Sequence, residues 1–406
     1  MQTVDMIHKI TIENFFSIAD RQELIFKVPD NAPDMPCFRK SRALPEIRLP
    51  SVVGFFGPNA SGKSTILRAL TATIAFVGQS FALPVGNPIP WFHSYMRRDW
   101  LERPSVIVIE FDGQIDEQQP PSLFRYELHV GYDRDITGYA LAKTIAYEAL
   151  SHSPKGRFRK IFERKEQSFS FGEEFRIADN DPRVQSIRPN ASIVSTLAQL
   201  NHTLSINFKT SLTGIQTNVV GFEKVQSHPN QLLPFYSQNP EYLERLNKEL
   251  RRLDVGLEEM IIKQGPGGLF AEFKHLGLDM PIFLDGESQG TRKFIEVFAR
   301  IQHVLDRGTL AIIDELDTDL HPLLVPEIFR WFGDPVRNQK GAQLFFTAHN
   351  PALLDEMEKE QVFFTQKNSG KPSIVYGAKD IKGLRREPSL MKKYLAGELG
   401  AVPRIG

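Results

Sequence analysis

The run Gly57-Pro58-Asn59-Ala60-Ser61-Gly62-Lys63-Ser64-Thr65 directly follows the apolar stretch Val52, Val53, Phe55 and Phe56. Its spacing lets a glycine-rich loop turn backbone N–H groups inward around a chain of phosphates, with the positive end of the next helix behind them. Lys63 would then reach the β- and γ-phosphates of a nucleotide, and the Ser64 hydroxyl would ligate Mg2+. The helical Ile66-Leu67-Arg68-Ala69-Leu70 follows, as such a loop requires.

Two further segments end in polar residues suited to the same chemistry. Thr309-Leu310-Ala311-Ile312-Ile313 runs into Asp314-Glu315, as expected of a buried parallel strand whose C-terminal end faces the phosphates. Asp314 would hold the magnesium shell, and Glu315 would position an attacking water in line with the γ-phosphate. Leu344-Phe345-Phe346-Thr347-Ala348 delivers His349, stopped by Pro351, to contact the γ-phosphate or relay charge around that water. A polar turn at Asp285-Gly286-Glu287-Ser288-Gln289-Gly290-Thr291 opens an amphipathic helix. Its start is either an ordinary cap with Ser288 as local acceptor or a surplus anion site serving the nucleotide of a second subunit.

These residues must be carried by a sheet and its connections. Ile10 and Ile12 alternate with Thr11 and Glu13, and Leu24-Ile25-Phe26 follows, predicting an opening strand pair. Residues 30–50, punctuated by Pro33, Pro36, Pro45 and Pro50, show no helix or strand pattern. A helix over 64–77 is followed by strand-like segments at 106–111, 124–130 and from Tyr139 onward, an antiparallel sheet appended to the core. From about Asp179 to Gly277 the pattern turns helical, most clearly where Leu243, Leu246 and Leu250 recur at helical spacing. The expected organisation is α/β with three parts. Residues 1–178 form an N-terminal nucleotide-binding lobe with the antiparallel sheet, 179–277 a helical lobe, and 278–406 a C-terminal nucleotide-binding lobe.

Lysine plus arginine equals aspartate plus glutamate at 49 each in 406 residues, so no global field recruits nucleic acid and any such contact is local. The single cysteine, Cys37, cannot form an intrachain disulfide, and Met1-Gln2-Thr3-Val4-Asp5 lacks a basic segment followed by an apolar core, which together predict a cytosolic protein. No apolar run approaches the roughly 18 residues needed to span a bilayer, so no membrane domain is expected.

The order of these motifs resembles an ATP-binding-cassette ATPase head of the soluble kind. The chain is similar to the prokaryotic ABC-type ATPases often described as AAA family proteins, found in abortive-infection and restriction-linked defence loci. The heads of chromosome-maintenance, recombination-mediator and overcoming-lysogenization-defect proteins are related to these. The resemblance extends from Ile12-Glu13-Asn14-Phe15 through Leu316-Asp317-Thr318-Asp319-Leu320-His321-Pro322 to the tail Lys393–Pro403. It implies a P-loop fold with a mixed sheet, ATP and Mg2+ as ligands, and a head-to-tail homodimer sandwiching two ATP molecules. Ser288 and Gly290 of one subunit would cap the γ-phosphate held by Lys63 of the other, with Asp317 and Asp319 near the subunit boundary. It further implies a partner effector, often a nuclease encoded nearby. Two departures stand out. The signature reads Ser288-Gln289-Gly290-Thr291 instead of leucine-serine-glycine-glycine-glutamine, and the coupling glutamine has no counterpart by motif. Gln79 has only its rough location and is not expected to serve.

Nucleic acid enters through one stretch, Lys155-Gly156-Arg157-Phe158-Arg159-Lys160-Ile161-Phe162-Glu163-Arg164-Lys165. Its cations and rings suit either backbone phosphates and bases, or a β-strand with Phe158 and Phe162 inward and basic residues in solvent. The first alternative would make the chain an ATP-gated DNA-repair protein resembling recombination mediators. A scaffold that hardly hydrolyses ATP is a third.

Overall fold

The computed structural model describes residues 4–116, 118–134, 140–178, 180–220, 223–224, 229–253, 256–385 and 389–402. Of the residues used above, Met1-Gln2-Thr3, Tyr139, Asp179 and Pro403 lie outside this set.

A six-stranded sheet runs in the spatial order Gln216–Thr217, Leu310–Ile313, Gln343–Thr347, Val52–Phe56, Val362–Lys367 and Ser373–Gly377. Every pairing is parallel except the last. The three central strands are buried along their whole length, because both faces of the sheet are covered. Successive residues therefore feed opposite cores. Val53, Phe55, Ile312, Phe345 and Phe363 join one cluster, with the helix Lys63–Gln79 and a second sheet. Val52, Phe56, Ile313, Phe346 and Phe364 join the other, with the helices Gln289–Arg307 and Leu324–Gly333. The parallel register places Thr347 beside Phe55 and Ile313 beside Phe346. One sheet edge thus delivers the loop after Phe56, the carboxylates after Ile313 and the histidine after Ala348.

The second sheet is antiparallel and seven-stranded, in the order Ser168–Phe171, Arg159–Lys165, Ala140–Ser153, Ser122–Arg134, Ser105–Gly113, Val4–Glu13 and Gln22–Ile25. The opening pair forms as expected, with Ile10 opposite Leu24. In residues 30–50 two short strands, Phe38–Lys40 and Arg48–Pro50, pair where no pattern was expected. Arg48 holds that excursion together by donating to the carbonyls of Pro29, Ala32 and Pro33 at 3.2, 2.8 and 2.9 Å.

Three expectations need correction. The helical pattern ends at Leu253, and Leu257–Gly265 and Gly268–His275 form an antiparallel hairpin. Its turn, Gly265-Pro266-Gly267-Gly268, uses Gly268 at φ 109°, a conformation L side chains rarely adopt. One stretch, Lys63–Ala82, does meet the length and apolarity of a membrane span. It is the phosphate-loop helix with the short turn after it, apolar because Ile66, Leu67, Leu70 and Phe76 pack between the two sheets. In the basic stretch Phe162 points inward, but Phe158 is 37% exposed and Arg164 is fully buried. Arg164 donates to four backbone carbonyls, those of Glu166, Ala191, Arg188 and Pro189, at 2.6 to 3.3 Å.

Arg164 lies 3.8 Å from the buried Glu148. The Glu148 carboxylate also accepts from Tyr126 Oη at 2.9 Å and from the Ile193 N–H at 3.1 Å, at the start of the helix Ile193–Gln199. Burial nevertheless dominates and pushes its pKa from 4.5 up to about 7. The folded chain holds this proton more firmly than the unfolded one, so the contribution to stability is complete below the unfolded value and is lost as pH rises through about 7. The amide of Glu148→Gln does not titrate. Its stability relative to the parent should therefore climb from about pH 4.5 and level off above about pH 7, read as the difference in thermal midpoints. A difference that stays constant across that range overturns the assignment.

Candidate functional site

The phosphate loop is shaped by what its glycines must avoid. A Cβ on Gly57 would come within 2.3 Å of the Thr365 carbonyl oxygen, and one on Gly62 within 2.8 Å of both Ser373 Oγ and Ser17 Oγ. Gly62 also sits at φ 107°. Between them the Ser61 hydroxyl shares a 2.5 Å hydrogen bond with Thr365 Oγ1, tying the loop to the neighbouring strand. The helix that follows has no side-chain cap and no acidic residue in its first turn. The Thr65 N–H turns back to the Gly62 carbonyl oxygen at 3.1 Å, which leaves the N–H groups of Lys63 and Ser64 for an external acceptor.

Lys63 is buried and donates to the carbonyls of Gly57 and Pro58 at 2.7 and 3.1 Å. Burial pulls its pKa down, opposed by the charges of Asp314, Glu315 and Asp317. An ammonium has three donors, so one remains beyond those two carbonyls.

Asp314 is the meeting point of three strand ends. Its Oδ1 accepts from Ser64 Oγ at 2.9 Å and from Thr347 Oγ1 at 2.6 Å. Its own backbone is paired on both sides with the Asn218 amide, at 2.8 and 2.9 Å. Thr347 Oγ1 in turn accepts from the Glu315 N–H at 2.7 Å. That bond holds Glu315 in the left-handed region, at φ 51°. The His349 ring lies 3.4 Å from Glu315 Oε1, with both side chains more than a third exposed. The His349 loop is braced by Asp317, whose Oδ2 accepts from the backbone of His349 and Asn350 at 2.9 and 2.7 Å.

Asn59 through Thr65, Glu315 and His349 line a cavity of about 770 Å³, whereas Gly57, Pro58 and Asp314 lie behind that lining. Phe16, Arg68, His93 and Tyr95 line its other side. The Arg68 guanidinium lies 5.4 Å from the Phe16 ring centre, and the His93 ring 5.4 Å from the same ring. Such faces can take a planar group. Ser288 and Gly290 do not line the cavity. Ser288 caps its own helix by accepting from the Thr291 N–H at 3.0 Å, so the single chain displays the ordinary-cap alternative. Gly290 abuts the carboxylate turn, where a Cβ would lie 3.2 Å from the Asp319 carbonyl oxygen. Gln79 is exposed at the far end of its helix, about 24 Å of helical rise from Lys63.

The donor set suits a magnesium nucleotide. Ser64 and Asp314 offer a hydroxyl and one carboxylate, and Mg2+ is held by few protein oxygens with phosphate and water completing the shell. Sequence reasoning missed Asn218, Thr365 and the Phe16 and His93 wall, which reach the site from distant segments. Thr347 was visible only as a strand residue.

Strand order and loop define the class: an α/β P-loop protein with a nucleotide-type phosphate cradle. The chain belongs to the family described as "AAA domain, putative AbiEii toxin, Type IV TA system", whose model matches residues 52–355. Among solved structures, an Smc head bound to the C-winged helix domain of ScpA is similar at 13% identity and TM-score 0.43, over 91% of this chain and 97% of that one. An Smc head with an extended coiled coil, bound to the C-terminal domain of ScpA and derived from Pyrococcus furiosus, gives 12% identity and TM-score 0.41 over 97% and 98%. A comparison with curated proteins returns no significant match.

Thr347→Val tests the node without changing its shape. It removes the Oγ1 acceptor of the Glu315 N–H and one donor to Asp314 at a fully buried position. Denaturant unfolding should report a loss of about 1–3 kcal/mol. A loss no larger than that of an exposed threonine substituted the same way counts against the node.

Proposed function

We propose that this chain is a cytosolic, ATP-hydrolysing switch that closes as a homodimer on two ATP molecules and governs a partner effector, such as a nuclease, in prokaryotic anti-phage defence. In this reading residues 1–178 and 278–406 supply the two halves of the nucleotide site, and 179–277 the lobe between them. The loop from Gly57 through Thr65 cradles the phosphates, and Lys63 exchanges a carbonyl partner for phosphate oxygen. Ser64 and Asp314 hold Mg2+, which when bound would neutralise charge on the β- and γ-phosphates. Glu315 takes the proton of the attacking water, and His349 orients that water or the γ-phosphate from beside it.

The observation that carries this reading is the node on Asp314, where Ser64, Thr347 and the Glu315 backbone are drawn to one sheet edge at 2.6 to 2.9 Å. Dimerisation rests on the resemblance to ATP-binding-cassette heads, which sets Ser288 and Gly290 over the phosphate loop of a second subunit. The defence assignment draws on the family description, which names a toxin of toxin–antitoxin type. Glu315→Gln should keep ATP affinity, lower turnover by about 100-fold or more, and accumulate a dimer with ATP, measured by phosphate release and sedimentation. Undiminished hydrolysis would sink the role given to Glu315.

One observation favours a second reading, ATP-gated grip on DNA. The turn after the strand Ala140–Ser153 exposes Lys155 and Arg157, and the start of the strand Arg159–Lys165 exposes Arg159 and Lys160, with the Arg125 guanidinium 3.9 Å from the Phe158 ring centre. In that case binding to duplex DNA depends on ATP, weakens steeply with salt, and is lost in Lys155→Glu with Arg157→Glu. DNA affinity equal to the parent's in that variant excludes this turn as the grip.

A further inference from the structure

Four large apolar side chains crowd one exposed turn just before Ser288. Leu276, Leu278, Met280 and Phe283 are 68, 53, 77 and 58% exposed. Single exposed apolar residues are ordinary, but four within one short segment form a patch that marks an interaction surface. The patch is held in place, because the chain enters it from the hairpin strand Gly268–His275 and leaves through Ile282–Phe283, which pairs back on that strand. The His275 ring, just before Leu276, bonds Glu287 at 2.6 Å. Glu287 directly precedes Ser288, so patch and helix start move as one body.

A second surface has the matching character. The cavity wall formed by His93, Ser94, Tyr95 and Met96 continues into exposed Arg97 and Arg98, and Met96 is itself 60% exposed. This segment is pre-set by Asn14, which accepts from the Tyr95 N–H at 2.9 Å and donates to the carbonyls of Trp100 and Arg103 at 3.0 and 2.6 Å. The apolar patch is flanked by exposed Asp279 and Asp285, with Lys274 on the strand before it, and the cavity wall by exposed Arg97, Arg98 and Arg103, with Asp99 and Glu102 among them. Arg97 also touches Asp99 at 3.2 Å, a solvated pair that leaves Arg98 outside it. Surfaces of opposite charge with apolar centres are complementary.

We propose that the patch at Leu276, Leu278, Met280 and Phe283 docks on a second copy of this chain, against Met96, Arg97 and Arg98 of the partner subunit. This rests on the ATP-sandwich reading. If Ser288 and Gly290 of one copy stand over the phosphate loop of the other, the surface beside Ser288 must face the surface beside that loop. The two-fold operator makes the contact twice, closing the dimer without leaving an open end. The patch adds area to an interface otherwise made of small polar groups and phosphate.

The test uses the full chain carrying Glu315→Gln, with MgATP, in sedimentation velocity, and ATP affinity of the dilute monomer by a fluorescent analogue. Leu278→Lys with Met280→Lys, which removes apolar area and sets like charge against the arginines, should weaken the ATP-dependent dimer by about tenfold or more and leave monomer ATP affinity unchanged. Arg97→Glu with Arg98→Glu should weaken it as well, and adding Asp279→Arg with Asp285→Arg should restore it. Dimerisation unchanged by the lysine pair overturns the proposal, leaves the sandwich reading standing, and assigns the patch to a different partner. Absence of rescue by the charge swap overturns the pairing with Arg97 and Arg98. A Glu315→Gln parent that stays monomeric with ATP removes the sandwich reading itself.

Discussion

Everything at the nucleotide edge depends on the Asp314 carboxylate having two hydroxyl donors from two other segments. Ser64 comes from the helix after the phosphate loop, and Thr347 from the strand between that loop's strand and Asp314's own. A buried carboxylate without donors would be strongly disfavoured. With them, it locks the relative height of helix and strands to within a hydrogen bond. The same Thr347 oxygen then sets the Glu315 backbone, so the residue proposed as base inherits its position from the residue proposed to hold the metal.

That node can be rigid because the sheet beneath it is packed on both faces. Phe26 meets Phe345 and Phe363 edge-on at 5.0 and 5.2 Å on one side, and Phe329 lies 5.0 Å from Phe346 on the other. Close-packed interiors change arrangement in discrete steps and do not yield gradually. The moving parts are therefore the segments beyond the strand ends. Asp317 braces the His349 loop through two backbone N–H bonds, while Glu315 and His349 themselves remain solvent-accessible and 3.4 Å apart.

The phosphate loop, the strands that carry Asp314 and His349, and the opening strand pair were legible because each is a local pattern. Their signals are glycine spacing, unbroken apolar runs and alternation. The hairpin after Leu253 was not, because the helical spacing of Leu243, Leu246 and Leu250 masked a turn whose only signal is the glycine run before Gly268. Arg164 shows a different limit. In sequence it belongs to a basic stretch, yet four carbonyls brought in by other segments bury it. Asn218, Thr365 and Phe16 reach the site from afar, and no spacing within the chain announces such meetings.

The turn from Glu315 to Asp319 ties these parts together. Glu315 and Asp319 both sit at positive φ, 51° and 64°, so the turn is tightly coiled for residues with side chains. Its middle residue, Asp317, holds the His349 loop, and the Asp319 carbonyl touches the start of the Ser288 helix at Gly290. A side chain at Gly290 would crowd that carbonyl, so the helix start and the turn are close neighbours. In the proposed dimer, Ser288 of each chain reads the nucleotide of the other. Displacement of that helix start would therefore pass through Asp319 and Asp317 to the chain's own Glu315 and His349. In that proposed dimer, a loose, exposed pair in one chain would be the resting geometry, with hydrolysis awaiting a contact from the second copy.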